Sequence, residues 1–163
     1  MNASPAEVLP IFVYGTLKRG QIRERCWPHS PVRIETATTL GRLFDVGPYP
    51  ALLPGSRLVA GELWFVAAEH LEETLRVLDE IECYGNDDVD LYVRRIVPCV
   101  TESGRTERAY VYHFADEAEL LRYPETPASA DGLCRWPHPT KSNSARRVRL
   151  NPRRSDTDQR SAD

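Results

Sequence analysis

The stretch "IFVYGTLKRG", residues 11–20, decides how the chain begins to fold. Ile11, Phe12, Val13 and Tyr14 are β-branched or aromatic at every position and suit a buried strand, which Gly15 stops at once. The turn that follows carries two glycines and two cations. Gly15 tolerates a positive φ, so successive backbone N–H groups can converge on one concavity, a nest suited to a carboxylate or oxyanion. The same residues also make an ordinary tight turn, and the rest of the chain must decide between the two.

Downstream, "RIETATTLGRLFDV" (33–46) reads as a long strand with a bulge or bend at Gly41. "GPYPALLPG" (47–55) is so rich in proline and glycine that it reads as a rigid loop, and "RLVAGELWFV" (57–66) resumes strand character. "AEHLEETLRVLDEIECYG" (68–85) has helical periodicity and is expected to end at Gly85. "DLYVRRIVPCV" and "TERAYVYHF" are two more strands joined by the turn "TESGR". Many strands with one clear helix predict an α+β chain built as a small mixed β-barrel. The boundaries expected are a domain over 8–123 and a Pro/Ser/Arg-rich tail over 124–163, mobile because its apolar periodicity is lost. Trp136 within "GLCRWPHP" is the one residue there expected to dock on the domain.

A chain of 163 residues, 41% hydrophobic and 28% charged, suits one domain with its own core. Lys and Arg number 21 against 24 Asp and Glu, a net charge of -3 that calls for neither nucleic acid nor an anionic membrane. A small-molecule partner is expected. No run approaches the roughly 18 apolar residues of a membrane span, and "MNASPAEVLP" lacks a signal pattern, so the expected location is the cytoplasm. Cys26, Cys83, Cys99 and Cys134 form no C-x-x-C pair and are expected as reduced thiols. "CWPH" (Cys26, His29) and "CRWPH" (Cys134, His138) offer a zinc-ligand alternative whose geometry the spacing does not imply, and no metal or other cofactor is expected.

The helix carries the chemical signal. At about 100° per residue from Leu71, Leu75 falls at about 40°, Leu78 at about 340° and Glu82 at about 20°, while Glu80 falls at about 180° and points to solvent. Glu82 therefore lies within the leucine stripe. A carboxylate on the core side is unfavourable unless it is paired, hydrogen-bonded or kept neutral by a raised pKa, and a helix C-terminus pushes the pKa further up. A general base near neutral pH needs that poise. The competing expectation is a structural ion pair between Glu82 and Arg94 or Arg95, or a helix that frays before residue 82.

Together, "VYGTLKRG", "GPYPAL", "VAGELW", "LDEIECYG", "LYVRR" and "AYVYHF", in that order over residues 10–115, resemble the γ-glutamylcyclotransferase superfamily, in its γ-glutamylamine cyclotransferase and AIG2-like branch. The resemblance implies a compact mixed barrel and a metal-free reaction that releases an amine from a γ-glutamyl amine or amide as 5-oxoproline forms. It implies that Tyr14, Gly15, Thr16 and Leu17 are the substrate loop and that Glu82 is the catalytic acid/base. Cys83 stands where a glycine often follows that glutamate, and "NDDVD" (86–90) makes an unusually acidic connection. Tyr92 and Arg94 share a strand face and are candidates to line the pocket or steady Glu82, and Tyr49 is a candidate pocket wall. The alternative reading is a catalytically silent binding module of the same fold with a partner-recruiting tail.

Overall fold

The computed structural model describes residues 7–85 and 90–137. Its elements are β1 (Ile11–Val13), a single 3₁₀ turn (Glu24–Cys26), β2 (Arg33–Asp45), β3 (Pro50–Phe65), α1 (Ala68–Ile81), β4 (Tyr92–Thr101), β5 (Thr106–Phe114), α2 (Glu117–Leu120) and β6 (Leu133–Cys134). The sheet runs β1-β5-β4-β2-β3-β6, and β1 also pairs with β3, which closes five strands into a mixed barrel. Among the described residues, only the β1–β5 and β3–β6 pairings are parallel. The expected α+β barrel with one main helix is therefore present.

Closure depends on a short first strand. β1 makes three pairs with β3, Ile11 to Trp64, Phe12 to Leu63 and Val13 to Glu62. Gly61 permits the crossing, since a Cβ there would stand 2.4 Å from the Val13 carbonyl oxygen and 2.6 Å from Phe12 Cζ. Ile11, Phe12 and Val13 all have almost no solvent exposure. They divide by the period of two: Ile11 and Val13 join Trp64, Leu78 and Phe114, and Phe12 joins Leu43, Leu63 and Val111.

Two predicted boundaries change. Residues 50–55 are strand and not loop, because β2 continues past its bulge at Gly41/Arg42 and pairs Arg42 through Asp45 with Leu53 back to Pro50. Gly41 pairs with Arg57, so Pro54, Gly55 and Ser56 stand outside the register, where the missing N–H of Pro54 costs no ladder bond. The helix ends at Ile81 and not at Gly85. The Tyr84 N–H donates to the Asp79 carbonyl (2.8 Å) and the Cys83 N–H to that of Glu80 (3.2 Å), a Schellman cap with Cys83 at φ 53°.

The packed body continues past Tyr123. Arg42 forms a two-point contact with Glu125, Thr126 is buried, β6 lies parallel to Leu58 and Val59 of β3, and the Trp136 side chain is buried against the second core cluster. The tail expected over 124–163 is in this part a strap on the barrel, and its remainder, 138–163, lies outside the described residues. Among the described residues, no helix is long and apolar enough to cross a membrane.

Candidate active site

A cavity of about 150 Å3 opens where the turn after β1 faces the end of α1. Tyr14, Gly15, Thr16 and Leu17 form one wall, Glu82 and Cys83 the facing one, and Tyr49, Tyr92 and Tyr112 line it from the barrel. Of the residues expected at the site, the structure brings together Glu82, Tyr14, Gly15, Thr16, Leu17, Tyr49 and Tyr92. It leaves out Arg94.

Each wall is held by bonds that local sequence does not show. Gly15 is not in the positive-φ region, contrary to the expectation. It is needed because a Cβ would stand 2.5 Å from Pro50 Cγ, so the proline of the second motif fixes the glycine of the first. The backbone N–H groups of Gly15, Thr16 and Leu17 donate to no other described residue, whereas their carbonyls are all engaged. The Gly15 carbonyl accepts from the Lys18 N–H (3.1 Å), that of Thr16 from the Arg23 N–H (2.8 Å) and that of Leu17 from the Trp27 indole (3.0 Å). Trp27 stacks on Trp64 with centroids 4.2 Å apart. The turn thus lines the cavity with free N–H groups while its carbonyls are engaged elsewhere, which suits an anion.

The two cations of the opening turn point elsewhere. Lys18 donates to the Trp136 carbonyl at 2.7 Å, pinning the C-terminal strap, and its burial pulls its pKa below the ordinary value. Arg19 pairs with Glu62 at 3.0 Å on the outside of the barrel. The cation that does line the cavity is Arg23, for which the sequence carries no signal.

Glu82 caps the C-terminal end of α1, and its N–H donates to the Leu78 carbonyl at 2.9 Å. Its carboxylate has no ion pair among the described residues. Burial raises its pKa from 4.5 to about 7, opposed only in part by Arg23. The alternative partner, Arg94, is committed to Asp79, with Nη1 at 2.7 and 2.9 Å from its two oxygens, and lies within cation–π range of Tyr84 and Tyr110. Arg95 is exposed. Arg94 does share a face with Tyr92, but Asp79, one turn before Glu82 on α1, captures it first.

Asp79 also accepts from the Tyr112 hydroxyl at 2.7 Å, and the Tyr112 carbonyl accepts from the Tyr14 hydroxyl at 2.6 Å. The Tyr92 hydroxyl donates to the Pro50 carbonyl at 2.9 Å. The three buried phenols therefore brace the cavity, and Tyr49 packs edge-on to Tyr92 near the mouth. Tyr112 was legible only as an alternating position in "AYVYHF"; its place at the cavity follows from the β4–β5 register. The proposed Cys/His ligand pairs do not meet in the described part: Cys26 is exposed, Cys134 is fully buried on β6, His138 is not described, and His29 binds Glu73 at 2.6 Å and stacks on His70.

Comparison with known proteins agrees with this geometry. The family model "Gamma-glutamyl cyclotransferase, AIG2-like" matches residues 11–131. The γ-L-glutamyl-butirosin B γ-glutamyl cyclotransferase of Niallia circulans is 39% identical over 104 residues, 63% of this chain and 64% of that protein. A putative γ-glutamylcyclotransferase of Vibrio cholerae is 34% identical over 83 residues, 49% of this chain and 70% of that one. This chain thus spans slightly less than two thirds of the Niallia protein. The crystal structure of an AIG2-like protein from Mus musculus superposes with a TM-score of 0.55 at 30% identity, covering 80% of this chain and 97% of the mouse one. From the match over residues 11–131 and the shared barrel, the chain belongs to the AIG2-like γ-glutamyl cyclotransferase family.

Proposed function

We propose that the protein releases an amine from a γ-glutamyl amine or amide, forming 5-oxoproline, with Glu82 as general acid/base. The observation that carries this reading is the presence around one cavity of an unpaired carboxylate held near neutral pKa and a turn whose N–H groups have no acceptor among the described residues.

The substrate's α-carboxylate rests on the turn at Tyr14 to Leu17, which leaves the α-ammonium toward Glu82. The ionised carboxylate takes a proton from the α-ammonium, and the freed amine attacks the γ-carbonyl carbon of the same molecule. A carbon–nitrogen bond closes the five-membered ring as the bond to the leaving amine breaks. Two protons leave the α-nitrogen and two arrive on the departing nitrogen, so Glu82 accepts and returns a proton twice and ends as it began. Binding a flexible γ-glutamyl chain in a bent form supplies the rest of the acceleration. The scheme asks nothing of a metal, and turnover is expected to survive chelator. A net charge of -3 supports a small-molecule partner over nucleic acid.

The Niallia relative is named for γ-L-glutamyl-butirosin B, which supports a γ-glutamyl group on an amine as the substrate class. The test is 5-oxoproline release from a panel of γ-glutamyl amines, dipeptides and lysine isopeptides. Release that is lost in Glu82→Gln is expected. Saturable binding of these compounds with no 5-oxoproline from any of them would favour the silent binding module instead.

A further inference from the structure

We infer that Arg23 selects the leaving amine, favouring one that carries a carboxylate, as in a γ-glutamyl amino acid, over a neutral or cationic one. This rests on the cyclotransferase reading and concerns the part of the substrate that reading leaves open.

Two charged side chains line the cavity among the described residues, Glu82 and Arg23. Glu82 is occupied with the proton transfers. Arg23 has no carboxylate within ion-pair distance among the described residues, although most of the described arginines do, among them Arg19, Arg42, Arg94, Arg105 and Arg135. Arg23 is half-buried at the cavity, and a guanidinium there with no carboxylate partner is free to make a charge-assisted contact with an anionic ligand.

Its position fits the far end of the substrate. The inner part of the cavity is made of buried residues, Phe12, Tyr14, Leu17, Tyr92 and Tyr112, and takes the small glutamyl group common to all substrates. The outer part is made of half-buried or exposed ones, Arg23, Tyr49, Cys83 and Leu91, and is where a leaving group of any size must project. The Arg23 backbone is fixed there: its N–H donates to the Thr16 carbonyl at 2.8 Å and its carbonyl accepts from the Cys26 N–H at 2.9 Å. A guanidinium so placed makes a charge-assisted contact with a carboxylate and repels an ammonium. The influence of Arg23 on both Glu82 and Tyr92 is consistent with a charge facing the interior.

The experiment compares kcat/KM of the full chain for γ-glutamyl conjugates of three matched four-carbon amines: 4-aminobutyrate, butylamine and 1,4-diaminobutane. The wild type is expected to prefer them in that order, with ~10-fold or more between first and last. Arg23→Gln is expected to collapse the order and Arg23→Glu to invert it, while Arg23→Lys keeps it. Arg25→Gln, an exposed residue of the same 3₁₀ turn that does not line the cavity, controls for net charge and is expected to keep the wild-type ratios. Turnover with no charge order, or with the cationic amine preferred, overturns the role of Arg23 alone. So does an equal loss on all three conjugates in Arg23→Gln, which would place Arg23 on the shared α-carboxylate. No 5-oxoproline from any conjugate overturns the cyclotransferase reading and this inference with it.

Discussion

The ring of Pro50 occupies the space a side chain at residue 15 would need: a Cβ on Gly15 would stand 2.5 Å from Pro50 Cγ and 2.7 Å from its Cδ. Pro50 opens β3, and its carbonyl accepts the buried Tyr92 hydroxyl, so it has little room to retreat. Gly15→Ala is therefore expected to cost ~1–3 kcal/mol, the range for overpacking, and to raise KM by displacing the turn. Chemical denaturation and initial-rate kinetics check it. An alanine variant with unchanged stability and KM would mean that neither the contact nor the turn matters.

Glu82 separates chemistry from packing by the direction of its pH effects. Burial raises its pKa from 4.5 to about 7, so the folded chain holds the proton more tightly than the unfolded one. The stability this brings is fully present below about pH 4.5 and is lost as pH rises through about 7. Glu82→Gln removes that slope: the variant should match the wild type in acid and exceed it above pH 7, by up to roughly 3 kcal/mol. Activity runs the other way. Wild-type kcat/KM should climb as pH rises through about 7, because the base must be ionised, and Glu82→Gln should lose at least ~10²-fold. Glu80→Gln is the control, since Glu80 is exposed and among the described residues pairs with Arg76 alone. A fully active Glu82→Gln enzyme would remove the catalytic assignment.

Asp79, in the turn before Glu82, is expected to behave as a structural carboxylate. It holds both Arg94 and the Tyr112 hydroxyl with its side chain mostly buried. Asp79→Asn should destabilise by roughly 2 kcal/mol, less than a fully buried pair because both partners keep some exposure. Its thermal midpoint should fall further than that of Glu80→Gln, and its residual kcat should exceed that of Glu82→Gln. A kcat as low as that of Glu82→Gln would assign Asp79 to the chemistry.

Cys83 holds a left-handed conformation, φ 53°, at the position of the Schellman cap where glycine carries no Cβ penalty. Cys83→Gly is expected to stabilise the chain by ~1 kcal/mol, a rise of roughly 2–4 °C in Tm. A fall in Tm would mean that the thiol's own contacts outweigh the backbone strain.

Truncation should divide the C-terminal region in two. Ending the chain after residue 123 removes Glu125 from Arg42, β6 from β3 and Trp136 from the second core cluster, and frees the half-buried Lys18 ammonium from its carbonyl. Losing the buried indole alone should cost ~2–3 kcal/mol. Ending it after residue 140 keeps all of these contacts and is expected to leave Tm and turnover nearly unchanged. Equal melting of the two truncated forms would show that the strap adds no stability.

Periodicity and local punctuation made much of the molecule legible in the sequence. The strand that stops before Gly15, the bulge at Gly41, the hairpin at "TESGR" and the place of Glu82, the residue that caps α1, in line with its leucine stripe all depend on neighbours within a few residues, which the sequence displays directly. The exposure of Glu80 and the inward position of Glu82 followed from angle alone. Contacts between distant segments decided the rest. Whether Arg94 reaches Glu82 or Asp79 depends on where β4 passes α1, and one strand face allows either. The glycine at 15 answers to a proline at 50, not to its own φ. The lysine at 18 holds a carbonyl at 136, and Arg23, unmarked by any motif, comes to the cavity because its backbone is bonded to Thr16. Loss of apolar periodicity marked 124–137 as tail, yet the buried Thr126, Cys134 and Trp136, the pairing of β6 with β3 and the Arg42–Glu125 ion pair dock it as a strap on the barrel.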